Sequence, residues 1–175
     1  EITFVKKCSC QLGERTIEYG LCRGELSGVT VWFIEHEHFF HRPRLYGYGD
    51  DSLRFAFFSR AVVDLIGQLS FVPDILHCND WETAPVIIYL KNDQAHRKEL
   101  RSIKTVYTIH NLQYQGVFPI KAVQDTLGLG DSLFTSDKLE CYGCANYMKA
   151  GLVYADELTT VSPSYSDEIQ TAFYG

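Results

Sequence analysis

Beyond residue 70 the chain alternates short apolar runs with longer amphipathic ones, and the apolar runs close on polar residues. Residues 74–79 (Asp-Ile-Leu-His-Cys-Asn), 103–109 (Ile-Lys-Thr-Val-Tyr-Thr-Ile) and 157–161 (Glu-Leu-Thr-Thr-Val) read as short strands, of which 103–109 has the β-branched and aromatic content of a buried one. After the first, Ala84, Ile87, Ile88 and Lys91 recur at helical spacing, with Pro85 tolerated if the helix begins near Asp80 or Thr83. After the second, a polar, Gly/Pro-punctuated loop and a weakly amphipathic stretch over 120–139, cut by Gly128 and Gly130, lead to a helix over 145–155. After the third, Ser162 supplies an N-cap and Pro163 a first helical residue, and the helix continues from Tyr165 to Phe173. Repeated strand-then-helix order predicts a parallel α/β sheet with right-handed crossovers. Ligands collect at the carboxyl ends of such strands, and those ends bear Asp80, His110 with Asn111, and Ser162.

The first 70 residues have a different pattern. Residues 16–22 alternate and residues 28–34 (Gly-Val-Thr-Val-Trp-Phe-Ile) form a strongly strand-favouring run, with Gly24 to Gly28 as the turn between them. A hairpin or meander at one edge of the sheet is expected. Residues 36–51 lose periodicity and become aromatic and polar, which suits a loop that covers the surface or forms the lip of a site. Asp50, Asp51 and Ser52 then make a helix start, and Leu53, Phe57, Ala61, Leu65 and Leu69 define one buried helical face.

Composition narrows the function. A net charge of -6, with 16 Lys and Arg spread along the chain, gives no basic face to track nucleic-acid phosphates. No apolar run approaches the roughly 20 residues that span a bilayer, and the first residues lack the build of a signal peptide, so a soluble intracellular protein is expected. The lack of an initiating Met and the ending on Phe-Tyr-Gly suggest a segment of a longer protein. Cys8 and Cys10 would share a strand face, and Cys141 and Cys144 have a zinc-knuckle gap, but no second matched pair completes a site. The six thiols read as reduced, packed side chains. His36, His38 and His41 lie in an irregular stretch with no completing ligand, and read as exposed or locally hydrogen-bonded. No metal is expected.

At the sheet edge, Asp80 reads either as a cap for the following helix or as a carboxylate facing a ligand, and both can hold. Ser, His and Asp on one edge raise a hydrolase, yet Ser162 precedes Pro163 and no Gly-x-Ser-x-Gly elbow exposes a nucleophile. Neither Gly-x-Gly-x-x-Gly nor a Walker sequence is present, so any main phosphate cradle lies elsewhere.

Several strings, in order, resemble the bacterial glycogen synthases and plant starch synthases. They are Tyr46-Gly-Tyr48 through Leu53-Arg54-Phe55, His77-Cys-Asn-Asp80-Trp81, Tyr107-Thr-Ile-His110-Asn111-Leu-Gln-Tyr-Gln-Gly116, Lys149-Ala-Gly-Leu-Val-Tyr-Ala-Asp156 and Thr160-Val-Ser-Pro163. The resemblance runs from about residue 30 to the end of the chain. It implies two Rossmann-like domains facing across a cleft, and retaining transfer of glucose from a nucleotide sugar to the non-reducing end of an α-1,4-glucan. Residues 1–175 would be part of the amino-terminal, acceptor-side domain. The family's Lys-x-Gly-Gly-Leu loop and its nucleotide-binding carboxyl-terminal domain would lie outside, and the chain alone would be inactive.

By the same resemblance His110 would lie against the donor glucose and, with Asp80, form the catalytic pair. Asn111 would hold the loop and the sugar, while Tyr48 and Trp81 would line the cleft, their aromatic faces suited to the apolar faces of sugars. The bacterial family often has His where this chain has Glu82. The implied partners are ADP-glucose in preference to UDP-glucose and a glucan, with no cofactor, in a bacterial cytoplasm or a plant plastid. A carbohydrate-binding or regulatory module without catalysis, or a related transferase with another sugar or acceptor, are the alternative readings.

Overall fold

A computed structural model describes residues 1–174. The chain begins with three antiparallel strands, β1 (Thr3–Leu12), β2 (Arg15–Leu26) and β3 (Val29–Glu35), paired in the order β1-β2-β3. The β2–β3 turn is Ser27-Gly28, both with positive φ, the tight primed turn that suits twisted strands. Gly24 lies within β2, so the turn is narrower than residues 24–28 suggested. Among the described residues the meander hydrogen-bonds to no other strand, and it forms a sheet of its own instead of an edge of the parallel one. Its inner residues Cys10, Leu12 and Tyr19 pack into the core with Phe57 and Ala61 of the long helix that follows.

The irregular stretch contains a helical turn, α1 (Glu37–Phe40), that the sequence did not announce. Its N-cap is His36, whose Nδ1 accepts from the Phe39 N–H and whose ring stacks on Phe39 at 4.5 Å. His41 pairs with Glu37, while the His38 ring stays exposed with its Nε2 3.8 Å from Asp50, so the histidines are exposed or locally bonded as expected. Helix α2 (Asp51–Ile66) follows and buries Phe57, Ala61 and Leu65. It stops at Gly67, short of Leu69.

The remainder builds the parallel sheet. Its strands are β4 (Ile75–Asn79), β5 (Lys104–Ile109) and β9 (Glu157–Thr160), in spatial order β4-β5-β9. Helix α3 (Asp80–Asp93) leaves β4, and Pro85 sits inside it, removing only one ladder donor. Between β5 and β9 come β6 (Val117–Pro119), α4 (Ile120–Leu127), β7 (Glu140–Cys141), β8 (Cys144–Asn146) and α5 (Tyr147–Tyr154). The small antiparallel sheet β6-β8-β7 was not expected, because strands of two or three residues carry no readable period. Cys141 and Cys144 are register partners across its Tyr142-Gly143 turn, and all six cysteines are free. The last helix, α6 (Pro163–Ile169), is capped by Ser162, whose Oγ accepts from the Tyr165 N–H. Among the described residues no helix is long and apolar enough to cross a membrane.

Helices α3 and α5 pack together against the parallel sheet, and α2 closes over α3. Two buried tyrosines bridge helices: Tyr147 donates to the Ser52 carbonyl at 2.9 Å and Tyr89 to that of Leu127 at 3.0 Å. At the centre, fully buried Tyr107 lies on Gly151 of α5. Asp156, on the α5–β9 connection, accepts from Lys91 Nζ at 2.6 Å and from the Thr105 N–H and hydroxyl at 2.8 Å each. One carboxylate thus joins α3, β5 and the approach to β9.

Two consequences can be measured by denaturant unfolding. A Cβ on Gly151 would stand 2.6 Å from Cζ of Tyr107, closer than real contacts allow. Overpacking of about 1–3 kcal/mol then outweighs the helix-propensity gain of about 1 kcal/mol, so Gly151→Ala is expected to destabilise. Asp156 is the second case: the Lys91 ammonium, with the Thr105 groups adding, holds its carboxyl below the ordinary carboxylate range. Its contribution is therefore complete above the unfolded pKa of about 4 and is lost as pH falls through the lower folded value. Asp156→Asn is expected to cost about 1–3 kcal/mol at neutral pH and to flatten the acid limb of the stability curve.

Candidate functional site

Strands β4 and β5 run parallel with Asn79 opposite Thr108, so both end at the same level. From there the chain turns into α3 through an unusual pair. Asn79 is extended and serves as N-cap, and Asp80 takes φ +56, a left-handed conformation that costs a non-glycine residue about 1–2 kcal/mol. The turn is pinned by Thr83, whose Oγ accepts the Asn79 N–H and donates to the Asn79 carbonyl, both at 2.6 Å.

The strained turn aims two side chains at the end of β5. Asp80 Oδ1 accepts the backbone N–H of His110 at 2.8 Å, so its carboxylate does not cap its own helix. Asn79 Oδ1 lies 2.9 Å from His110 Nε2. His110 and Asn79 are exposed and Asp80 half-buried, so an open imidazole is fixed at its backbone and at one ring nitrogen. Asn111 closes the next turn, its Oδ1 accepting from the Gln113 N–H at 3.0 Å.

Residues 110–116 are then held from several sides. The Leu112 N–H donates to the Tyr165 hydroxyl of α6, and Asn146 Nδ2 donates to Gln115 Oε1. The Gly116 and Gln115 carbonyls accept from the Tyr147 and Met148 N–H groups of α5. Gly116 has φ +64, and any Cβ there would meet Cε3 of Trp81 at 2.3 Å. Only glycine lets the loop lie on the indole.

Beside this corner lies a cleft of about 340 Å³, lined by Tyr46, Gly47, Asp51, Trp81, residues 113–117 and Phe118. Trp81 is only 5% exposed, wedged between Phe55 and Phe118, and acts as floor more than open platform. The rings open to solvent are Tyr46, 37% exposed, and Tyr114, 47% exposed, with centroids 5.9 Å apart. Tyr48 is absent from the lining: the Arg42 and Arg54 guanidiniums lie 4.8 and 5.2 Å from its ring centre, and its hydroxyl accepts from the Arg44 N–H. Its backbone N–H, like that of Gly47, donates to Asp51, which forms a buried ion pair with Arg54. That pair shapes the lip on which Tyr46 stands.

Glu82, in the first turn of α3, is half-buried. Burial, with the carboxylates of Asp80 and Asp51 adding, raises its pKa above the ordinary value against the pull of a backbone N–H. Among the described residues no three His, Cys, Asp or Glu side chains gather as metal ligands. A separate hollow of about 400 Å³ on the meander is lined by Phe4, Glu18, Glu35 and neighbours, and shares no residue with the cleft.

Of the residues singled out in the sequence, the structure joins Asp80, His110 and Asn111 at one corner, places Trp81 beneath the adjoining cleft, and sets Tyr48 behind its lip. Asn79, Tyr46 and Tyr114 were missed. The Tyr46-Gly-Tyr48 string and the residues after Asn111 are the segments that border the cleft, but Arg42 and Arg54 lie against Tyr48 and leave Tyr46 open.

Comparison with known proteins bears on the same segments. The chain is 47% identical over 169 residues to a glycogen synthase of Bacillus licheniformis, a match covering 97% of this chain and 35% of that protein. A glycogen synthase of Clostridium novyi is 48% identical over 165 residues, covering 94% and 34%. The chain thus spans about a third of the length of these relatives. The structure of the catalytic domain of starch synthase IV from Arabidopsis thaliana, bound to ADP and acarbose, superposes with a TM-score of 0.88 at 31% identity, over 99% of this chain and 36% of that one. The starch synthase catalytic domain model matches residues 1–175, and the chain belongs to that family.

Proposed function

We propose that the chain forms the acceptor-side half of a retaining glucosyltransferase of the bacterial cytoplasm, one that moves glucose from ADP-glucose to the non-reducing end of an α-1,4-glucan. A nucleotide-binding domain outside these residues would supply the other wall of the cleft. The observation that carries this reading is the doubly held His110 imidazole at a parallel-strand end, next to a cleft faced by exposed tyrosines. Membership of the starch synthase family and the ADP bound by the Arabidopsis relative support the donor.

The chemistry suits the geometry. Sugar hydroxyls need donors and acceptors with fixed directions, and His110 and Asn111 offer both kinds on a braced loop. Glucosyl transfer with retention develops positive charge on the sugar and negative charge on the departing diphosphate. Asp80 places a carboxylate at this corner, where it can steady the positive charge, while one of its oxygens stays on the His110 N–H. It acts by charge and by holding His110, and not as a nucleophile. Tyr46 and Tyr114 present the aromatic faces that the apolar sides of a glucan chain would cover.

The test is glucosyl transfer to glycogen by the complete protein that carries this chain, with ADP-glucose and UDP-glucose as alternative donors. Transfer from ADP-glucose is expected, and His110→Ala should lower kcat by about 10²-fold or more. Asp80→Asn, which keeps a residue tolerant of the left-handed backbone, should fold normally yet lose about 10-fold or more from its missing charge. A folded protein that binds glucan and transfers from neither donor would be a binding module instead. Tyr46→Ala and Tyr114→Ala should each raise KM for glucan about 2- to 10-fold, from about 0.5–1.5 kcal/mol of aromatic contact, with kcat little changed.

A further inference from the structure

Asn79 is the N-cap of α3, a position where Asn normally turns its side-chain oxygen back onto the helix's first N–H groups. Here it makes no such cap bond. The cap's backbone is held instead by the Thr83 hydroxyl, accepting from one side and donating to the other. The Asn79 side chain is thereby released, and its Oδ1 reaches across to the end of the neighbouring strand, 2.9 Å from His110 Nε2. Both residues are exposed, so the contact does little for the core. The left-handed turn at Asp80 thus goes with a cap side chain that is free of its own helix and set against an open imidazole.

We propose that Asn79 is a positioning residue for His110, its side-chain carbonyl accepting the Nε2 hydrogen so that the ring is held in one tautomer with Nδ1 left as an acceptor. The bond made at one ring nitrogen decides which nitrogen carries the proton. With Nε2–H engaged, the ring offers a lone pair at Nδ1, which suits it to accept from a sugar hydroxyl. Asp80 fixes where the residue's backbone sits, and Asn79 fixes how the ring is turned and protonated. The role toward a sugar rests on the glucosyltransfer reading, whereas the tautomer does not. Other titratable groups on the elements around the ring are His77 of β4, which is bonded to Thr108, Asp80 and Glu82 at the head of α3, and Tyr165 of α6.

The complete protein, labelled with ¹⁵N-histidine, tests both parts. His110 is identified by the signal lost in His110→Gln and is expected to show the Nε2–H pattern. In Asn79→Leu, which fills similar space without the acceptor, the ring should pass to a mixture of tautomers, and kcat for transfer should fall about 10-fold with thermal stability kept. In Asn79→Asp a carboxylate beside Nε2 stabilises the imidazolium, so the imidazole titration and the acid limb of the pH–rate profile should both move up by one pH unit or more. A merely structural Asn79 would move neither. An Nδ1–H pattern in the unmodified protein, or the same tautomer and titration in both variants, would overturn the proposal. Should the expected tautomer appear in a protein that transfers no glucose, the glucosyltransfer reading falls and the assignment of Asn79 stands.

Discussion

The site hangs on one hydrogen bond between adjacent strand ends, from the His110 N–H to the Asp80 carboxylate at 2.8 Å. Parallel strands pair along their length but separate beyond it, and residues just past the last pair have no ladder to hold them. Here the turn leaving β4 supplies the acceptor for the first N–H past β5, extending the order of the sheet by one residue through a side chain. The loop from His110 through Asn111 to Gly116 starts from that bond, and its later residues are held by α5, α6 and Trp81. The strain at Asp80 is the local cost, and it is met by the Thr83 hydroxyl on one side and the His110 N–H on the other.

The packing beneath makes such a corner rigid. Tyr107 is the residue of β5 that enters the helical layer, and Gly151 is the place in α5 where that ring can lie. The same device recurs where Gly116 lets the loop rest on Trp81. On the other side of the sheet the strands are joined through polar side chains, His77 to Thr108 and Thr108 to Thr159, each at 2.6 Å. β5 is thus fixed through an apolar contact on one face and hydrogen bonds on the other, so its carboxyl end has little freedom to drift.

Much of this was legible in the chain. Strand-then-helix order past residue 70 gave the parallel sheet, because short apolar runs that close on polar residues mark strand ends even where, as in β4 and β9, most of the strand stays exposed. It also put Asp80 and His110 on one edge, since residues that follow parallel strands must emerge together. Partner choice was not legible: the meander's strands were readable, but their pairing only with one another depends on contacts that no local pattern records. The role of Asn79 was hidden for the same reason, as it concerns an imidazole 31 positions further along. Tyr46 and Tyr48 are alike in sequence, and no local pattern records that the arginines lie against Tyr48 while Tyr46 packs beside Trp81 and Tyr114.

The left-handed backbone at Asp80 has a consequence for how the chain can vary. Glycine enters that region without penalty and asparagine and aspartate more readily than the rest, while other side chains crowd the neighbouring carbonyl. Of these, glycine offers no acceptor to the His110 N–H, and asparagine offers one without charge. The residues that the backbone favours and those that can accept the His110 N–H therefore overlap at aspartate and asparagine, and of these only aspartate brings a charge to the corner. Variation at this position that keeps the corner's backbone and its hydrogen bond is thereby held to a single exchange, and that exchange changes the charge.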